Sequence, residues 1–208
     1  MTSRNWLIST AALVCLATPA FADTNTENYV RSNANDVLRA LSAPNMDAAG
    51  RRAEFQIYMN EFTNTDAVAK FVIGKYAKRF TDEEMTAYQA AFGEYALAIY
   101  EYYFNAYKGR EVDVTGSIDR NTRDSIVDTT IMRADGRAMN VRWRVLKRGG
   151  KYQVVDIALS SEGNLIWLAI EQQAQLIALL DRTNGSADAL TRKVEELTQQ
   201  IIDKRVAG

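Results

Sequence analysis

Asp156 stands in an apolar strand-like run, Tyr152 to Leu159, and Asp128 stands in the middle of another, Arg123 to Arg133. A carboxylate buried among apolar neighbours keeps its proton to higher pH. Beside a tyrosine hydroxyl it makes a kit for proton transfer on an apolar substrate. That chemistry would belong to a small cavity enzyme of isomerase or hydrolase type, with Asp156 or Asp128 as base and a tyrosine as acid. The same residues have a plainer role, which we favour. They can pair with Arg142 or Arg144 across a sheet, or accept backbone N–H groups.

Other chemistries are excluded by composition. The chain has no histidine and a single cysteine, Cys15. A Ser-His-Asp triad cannot be built, and a His- or Cys-based metal site is equally out of reach. Glu83-Glu84 and Glu195-Glu196 read as solvated helix positions rather than metal ligands, and no phosphate-cradling glycine loop is present. No cofactor is expected. With 25 basic and 26 acidic residues, no charge block points to nucleic acid. Arg142, Arg144, Lys147, Arg148 and Lys151 do gather in one predicted hairpin. A solvated strand face is the favoured reading. A docking patch for an acidic partner or anionic lipid head groups is the other.

The first residues read as an export signal. Arg4 precedes an uncharged run from Trp6 to Ala17, and Ala20-Phe21-Ala22 is a small-x-small cleavage site before Asp23. The run is too short for a spanning helix. Cys15 also allows a lipoprotein, but Val14 occupies the position where a small residue is expected. The expectation is cleavage after Ala22 and a single cysteine-free domain over residues 23–208, long enough to bury a core without disulfides. A periplasmic location follows.

The elements that must position these residues are legible from periodicity. Helices are expected from Thr24 to Leu41, Asp47 to Phe62 and Thr65 to Phe80. Pro44 separates the first two. Thr81 and Glu84 form a capping box for the longest helix, running to about Tyr107 and closed by Lys108-Gly109. That helix has two apolar stripes. One is Met85, Tyr88, Phe92, Tyr95, Ile99, Tyr102 and Ala106; the other is Leu97, Tyr100, Phe104 and Tyr107. Two stripes mean burial on two sides.

Four strands follow: Glu111 to Ile118, Arg123 to Arg133, Ala138 to Val145 and Tyr152 to Leu159. Turns are expected at Asp135-Gly136 and Gly149-Gly150. Val155, Ile157 and Leu159 are assigned to one face of the last strand, and Tyr152, Val154 and Asp156 to the other. After Glu162-Gly163 an apolar helix is expected from Asn164 to Arg182, ended by Asn184-Gly185, then a final helix from Ser186. A meander with one apolar face needs a helical cover, and a curved sheet under helices can hold an apolar cavity.

Phe71-Val72-Ile73-Gly74-Lys75-Tyr76 resembles a motif of the MlaC, or toluene-tolerance, family of periplasmic phospholipid-binding proteins. The Gly149-Gly150 turn, Tyr152-Gln153-Val154-Val155-Asp156 and the Asn184-Gly185 break follow in the family's order. The stretch Trp167 to Leu180 is similar to its hopanoid-associated subgroup. The resemblance implies an α+β fold, a twisted antiparallel four-stranded sheet packed with helices around an apolar cavity, similar to nuclear-transport-factor-2-like (NTF2-like) folds. It implies a non-enzymatic carrier that shuttles phospholipid, or a hopanoid-related lipid, across the periplasm. Its partners would be an inner-membrane ABC transporter with an MCE-domain protein and an outer-membrane lipoprotein–porin complex.

Under that reading the lipid-lining residues are expected on three elements. The motif supplies Phe71, Ile73 and Tyr76, and the long helix supplies Phe92, Ile99 and Tyr103. The sheet supplies Val127, Ile131, Val141, Trp143, Val145, Val155, Ile157 and Leu159, with Ile166 from the following helix. Arg142, Arg144, Lys147 and Arg148 are the expected docking residues. The chain departs from the family pattern at Ala77, where a tryptophan is usual, and at Gln173, where an arginine is usual.

Overall fold

Alternating residues build the centre of the molecule. Val141, Trp143 and Val145 are buried while Arg142 and Arg144 stand on the opposite, wetter face, as a period of two requires. The computed structural model describes residues 24–42, 45–104, 111–132, 136–161 and 164–207. The export signal with Cys15, Pro44, the Lys108-Gly109 helix end, Asp135 and Glu162-Gly163 lie outside the described residues.

Four helices come first: α1 (Thr24–Ser42), α2 (Ala48–Phe62), α3 (Thr65–Val72) and α4 (Asp82–Phe104). A short 3-10 turn, Gly74–Lys78, links α3 to α4. Then come β1 (Asp113–Asn121), β2 (Asp124–Met132), β3 (Ala138–Arg148), β4 (Lys151–Ser161) and β5 (Asn164–Trp167), followed by α5 (Leu168–Arg182) and α6 (Ala187–Ala207). The sheet is a five-stranded antiparallel meander in sequence order. Gly149 and Gly150 both have positive φ, 55° and 79°, the backbone that a two-residue hairpin with the sheet's own twist demands.

The expected α+β class is correct, and two details of the sheet differ. A fifth strand replaces the first turn of the expected helix at Asn164. Leu165, Ile166 and Trp167 are a short apolar run that periodicity cannot divide between helix and strand. Antiparallel pairing from Ser161↔Asn164 to Ala158↔Trp167 decides it. The second difference is in β4. Arg144 faces Asp156 but Val145 faces Val154, so an extra residue, Val155, bulges from the strand. A bulge reverses the parity of everything beyond it. Tyr152 and Val154 therefore share the core face with Ile157 and Leu159, and Asp156 stands with Arg144 instead.

Two apolar cores result. In the sheet core, α1 and α2 cover one face of the sheet, with Val30, Leu38, Phe55 and Phe62 packed against Val127, Ile131, Trp143 and Ile157. The helical core gathers α3, α4, α5 and α6 around Val72, Tyr88, Phe92, Leu176, Leu180 and Leu190. Helix α4 belongs to both, through Leu97 and Tyr100 on one side and Met85, Tyr88, Phe92 and Tyr95 on the other. The two stripes expected of that helix are thus both buried, as far as Tyr100. The capping box also forms, with Thr81 N–H donating to Glu84 Oε2 at 2.8 Å and Glu84 N–H to Thr81 Oγ1 at 3.2 Å.

Candidate functional site

The seam between the two cores holds a cavity of about 60 Å³. Helix α4 lines it with Phe92, Tyr95, Ala96, Ile99 and Tyr100; β4 contributes Val154, Val155, Asp156 and Ile157. Val68 of α3, Leu168, Ala169 and Gln172 of α5, and Thr63 and Thr65 between α2 and α3 complete the wall. The bulge at Val155 explains why one strand sends consecutive residues to one cavity. Beyond Tyr100 lies a second void of about 10 Å³ inside the sheet core, bordered by Val37, Leu38, Phe62, Ile131 and Trp143. Tyr100 borders both spaces. A larger hollow of about 370 Å³ opens between α2 and α4, but Gln56, Asn60, Asp66, Gln89 and Glu94 make it polar.

Among the described residues, Asp156 is the only ionised-type side chain on the seam cavity wall, and it is 8% exposed. Helix α5 starts just after Trp167, whose side chain cannot cap it. Asp156 reaches across from β4 instead, and its Oδ1 accepts the Ala169 N–H at 2.8 Å. That satisfies one of the donors a helix start leaves open. Burial pushes the Asp156 carboxyl up to about 6, against backbone hydrogen bonds from Ala169, Ile157 and Ile170 and the nearby Arg144 charge. Burial also raises the Tyr100 hydroxyl, helped by the Asp156 charge and opposed by Thr63. Asp128 is elsewhere. It sits on the outer sheet face in a two-point ion pair with Arg142, at 2.6 and 3.0 Å. The favoured plainer role for both aspartates is the one the geometry displays.

Residues 31–196 match the family model described as MlaC protein. The chain belongs to the MlaC family. No curated protein matches it significantly in sequence. Among solved structures it is similar to a phospholipid-binding protein from Ralstonia solanacearum, solved in complex with a phospholipid. That match has a TM-score of 0.71 at 16% identity and covers 85% of this chain and 98% of the other. At that identity it speaks for the fold.

In this MlaC-family chain the expected lining residues divide into three groups. Phe92, Ile99, Val155 and Ile157 border the seam cavity, and Ile131 and Trp143 border the inner void. Val127, Val141, Val145 and Leu159 are packed in the sheet core without bordering either space. Phe71, Ile73, Tyr76, Tyr103 and Ile166 stand away from both. Phe71, Tyr103 and Ile166 are 45%, 41% and 38% exposed, whereas Ile73 and Tyr76 are buried in the helical core.

The motif's work is visible there. Tyr76 O–H donates to Asp181 Oδ1 at 2.6 Å, Lys75 pairs with the same carboxylate, and the ring lies against Gly185. A Cβ at Gly185 would come within 2.9 Å of that ring, and its φ of 78° already favours glycine. The Tyr76 segment and the Asn184-Gly185 break are therefore two halves of one clasp that fixes α5 against α6. Ala77 packs at the edge of the helical core, and Gln173 ties α5 to α3 by donating to the Phe71 carbonyl at 2.9 Å. Neither borders the cavity.

Three of the four expected docking residues, Arg142, Arg144 and Lys147, carry partners of their own. Arg142 holds Asp128, and Arg144 holds Asp124 at 3.1 and 2.9 Å. The Lys147 ammonium lies 4.9 Å from the centre of the Tyr152 ring, and Arg148 is exposed. Sequence reasoning missed Thr63, Tyr100, Leu168 and Gln172 as wall residues. Tyr100 carried a signal, as a member of the second α4 stripe. Thr63 and Gln172 carried none, because only the fold brings them to the seam.

Proposed function

We propose that this protein is a lipid carrier whose acyl chains occupy the seam between its two cores. The observation that carries this reading is the apolar cavity between β4 and α4, continued past Tyr100 by a second apolar void. Family membership and the phospholipid bound in the R. solanacearum structure support it. Each methylene moved from water into such a space contributes about 0.8 kcal/mol. Two acyl chains of ordinary length therefore supply more than the ordering costs of binding.

The seam cavity is smaller than the roughly 150 Å³ that holds a benzene. Loading separates the helical core from the sheet core along the seam, with α4 sliding or tilting between them and Tyr100 turning aside to join the two spaces. No covalent step is required, and binding rather than catalysis is the role.

The carrier works in the periplasm after removal of residues 1–22. It takes phospholipid or a hopanoid-related lipid between an outer-membrane lipoprotein–porin complex and an inner-membrane ABC transporter with an MCE-domain protein. The test is native mass spectrometry of the processed protein purified from a bacterial periplasm, with lipid extraction. A stoichiometric lipid mass is expected. A well-folded protein that stays lipid-free after incubation with phospholipid vesicles would overturn the reading.

A further inference from the structure

Part of the seam cavity wall is polar. Thr63, Asp156 and Gln172 all border it. Thr63 follows α2 and is bridged to Val154 of β4, which sets it beside the strand that carries Asp156. Gln172 lies three residues beyond Ala169, the residue whose N–H Asp156 holds. Three separate elements thus send oxygen-bearing side chains to one small space.

Gln172 Oε1 is buried and makes no hydrogen bond, and Thr63 Oγ1, in a residue 7% exposed, is unpaired except for the neighbouring Tyr100 hydroxyl. Buried polar atoms are ordinarily paired, and other buried groups in this protein obey that rule. Tyr88 O–H donates to the Ala69 carbonyl at 3.0 Å, and Trp143 Nε1 donates to Thr129 Oγ1 at 2.8 Å. Gln172 Oε1 and an ionised Asp156 can only accept. A phosphate or carboxylate placed there would face acceptors and a negative charge. A hydroxyl or an ammonium would find partners.

We propose that Thr63, Asp156 and Gln172 form a recognition subsite for a non-anionic hydrogen-bond donor, a hydroxyl or an ammonium, carried into the seam by the lipid. This rests on the carrier reading and adds a chemical class to it. The apolar part of the ligand fills the space along Phe92, Ile99 and Ile157, and its donor group meets Gln172 Oε1 and Thr63 Oγ1. An ammonium gains the Asp156 charge in addition. An anionic head group stays outside this polar patch.

The test is a competition assay with four probes of one chain length: octadecanol, octadecyl methyl ether, octadecylamine and stearate. Wild-type protein is expected to hold octadecanol about tenfold more tightly than the ether, as one good hydrogen bond allows. The amine should bind at least as tightly as the alcohol, and stearate should be the weakest. In the double variant Thr63→Val, Gln172→Met the alcohol-to-ether ratio should fall to within about twofold, with ether binding kept. Asp156→Asn should weaken the amine alone.

Equal binding of alcohol and ether by wild type would mean that the polar patch holds only water, and would overturn the subsite. So would an unchanged ratio in the double variant. If the double variant does not fold, Thr63→Val against Thr63→Ser makes the same comparison, because serine keeps the hydroxyl. Failure of all four probes to bind would overturn the carrier reading itself, a result distinct from equal binding.

Discussion

The sheet core and the helical core are closed in different ways. In the sheet core a chain of aromatic rings fills the space under α1 and α2: Tyr29 lies 5.7 Å from Phe62, and Phe62 lies 5.3 Å from Trp143, centre to centre. Its polar groups are satisfied internally, with Tyr29 O–H donating to the Phe62 carbonyl at 3.0 Å. The helical core is pinned from its rim by the Tyr76, Asp181 and Gly185 clasp. Between them the seam has neither device. Near the end of α4, Glu101 holds Arg52 of α2 at 2.9 Å and also pairs with Arg205 of α6. The seam itself is a largely apolar gap with the unpaired Gln172 Oε1 on its wall. Each core is completed by its own packing, whereas the seam between them keeps a cavity.

Four predictions would break or sharpen that contrast. The largest effect belongs to the cores. Phe55→Ala removes a ring that is 0% exposed and should cost about 3–5 kcal/mol in denaturant unfolding. Because α4 belongs to both cores, the loss should appear as one transition read by all probes. Two separated transitions would show that the cores are independent units.

The next effect is electrostatic and belongs to the seam wall. The Asp156 carboxyl is raised to about 6 in the folded protein from an ordinary 3.8. Between those pH values the folded state holds a proton that the unfolded chain has released, so stability falls as pH rises through this window and is level above it. The shift amounts to about 3 kcal/mol at most. Asp156→Asn should flatten that slope between pH 4 and pH 6 in urea titrations. An unchanged slope would assign it to other groups.

A smaller cost in stability should come from filling the gap. Ala96 borders the seam cavity, and Ala96→Phe should overpack it for about 1–3 kcal/mol while the protein stays folded. The smallest effect is on the outer sheet face. Arg142→Ala breaks the solvent-facing pair with Asp128 and should change stability by less than about 1 kcal/mol. Lipid retention should be the same as in wild type. A large loss of bound lipid there would move the site away from the seam.

What was legible in the sequence follows the same division. Local signals were readable: the Thr81–Glu84 box, the Gly149-Gly150 turn, the alternation of β3 and the two stripes of α4 all depend on residues near one another in the chain. The bulge at Val155 was not readable, because Tyr152 to Leu159 alternates plausibly in either parity until β3 sets the register. Strand β5 was hidden by an apolar run that suits a helix equally well. The wall of the seam was half legible. Phe92, Ile99 and Ile157 are apolar positions on recognisable elements. Thr63 and Gln172 are ordinary polar residues whose meaning depends on an α2–β4 bridge and on where α5 begins. Tyr76 is the opposite case: an aromatic residue in a family motif suggests ligand contact, and in the structure its hydroxyl holds Asp181 while its ring lies against Gly185.

The most direct measurement is native mass spectrometry of wild-type and Ala96→Phe proteins, each purified from the periplasm and checked for folding by circular dichroism. The account predicts a stoichiometric lipid on the wild type and a folded, empty Ala96→Phe protein. A folded Ala96→Phe protein that retains its lipid in full would contradict it.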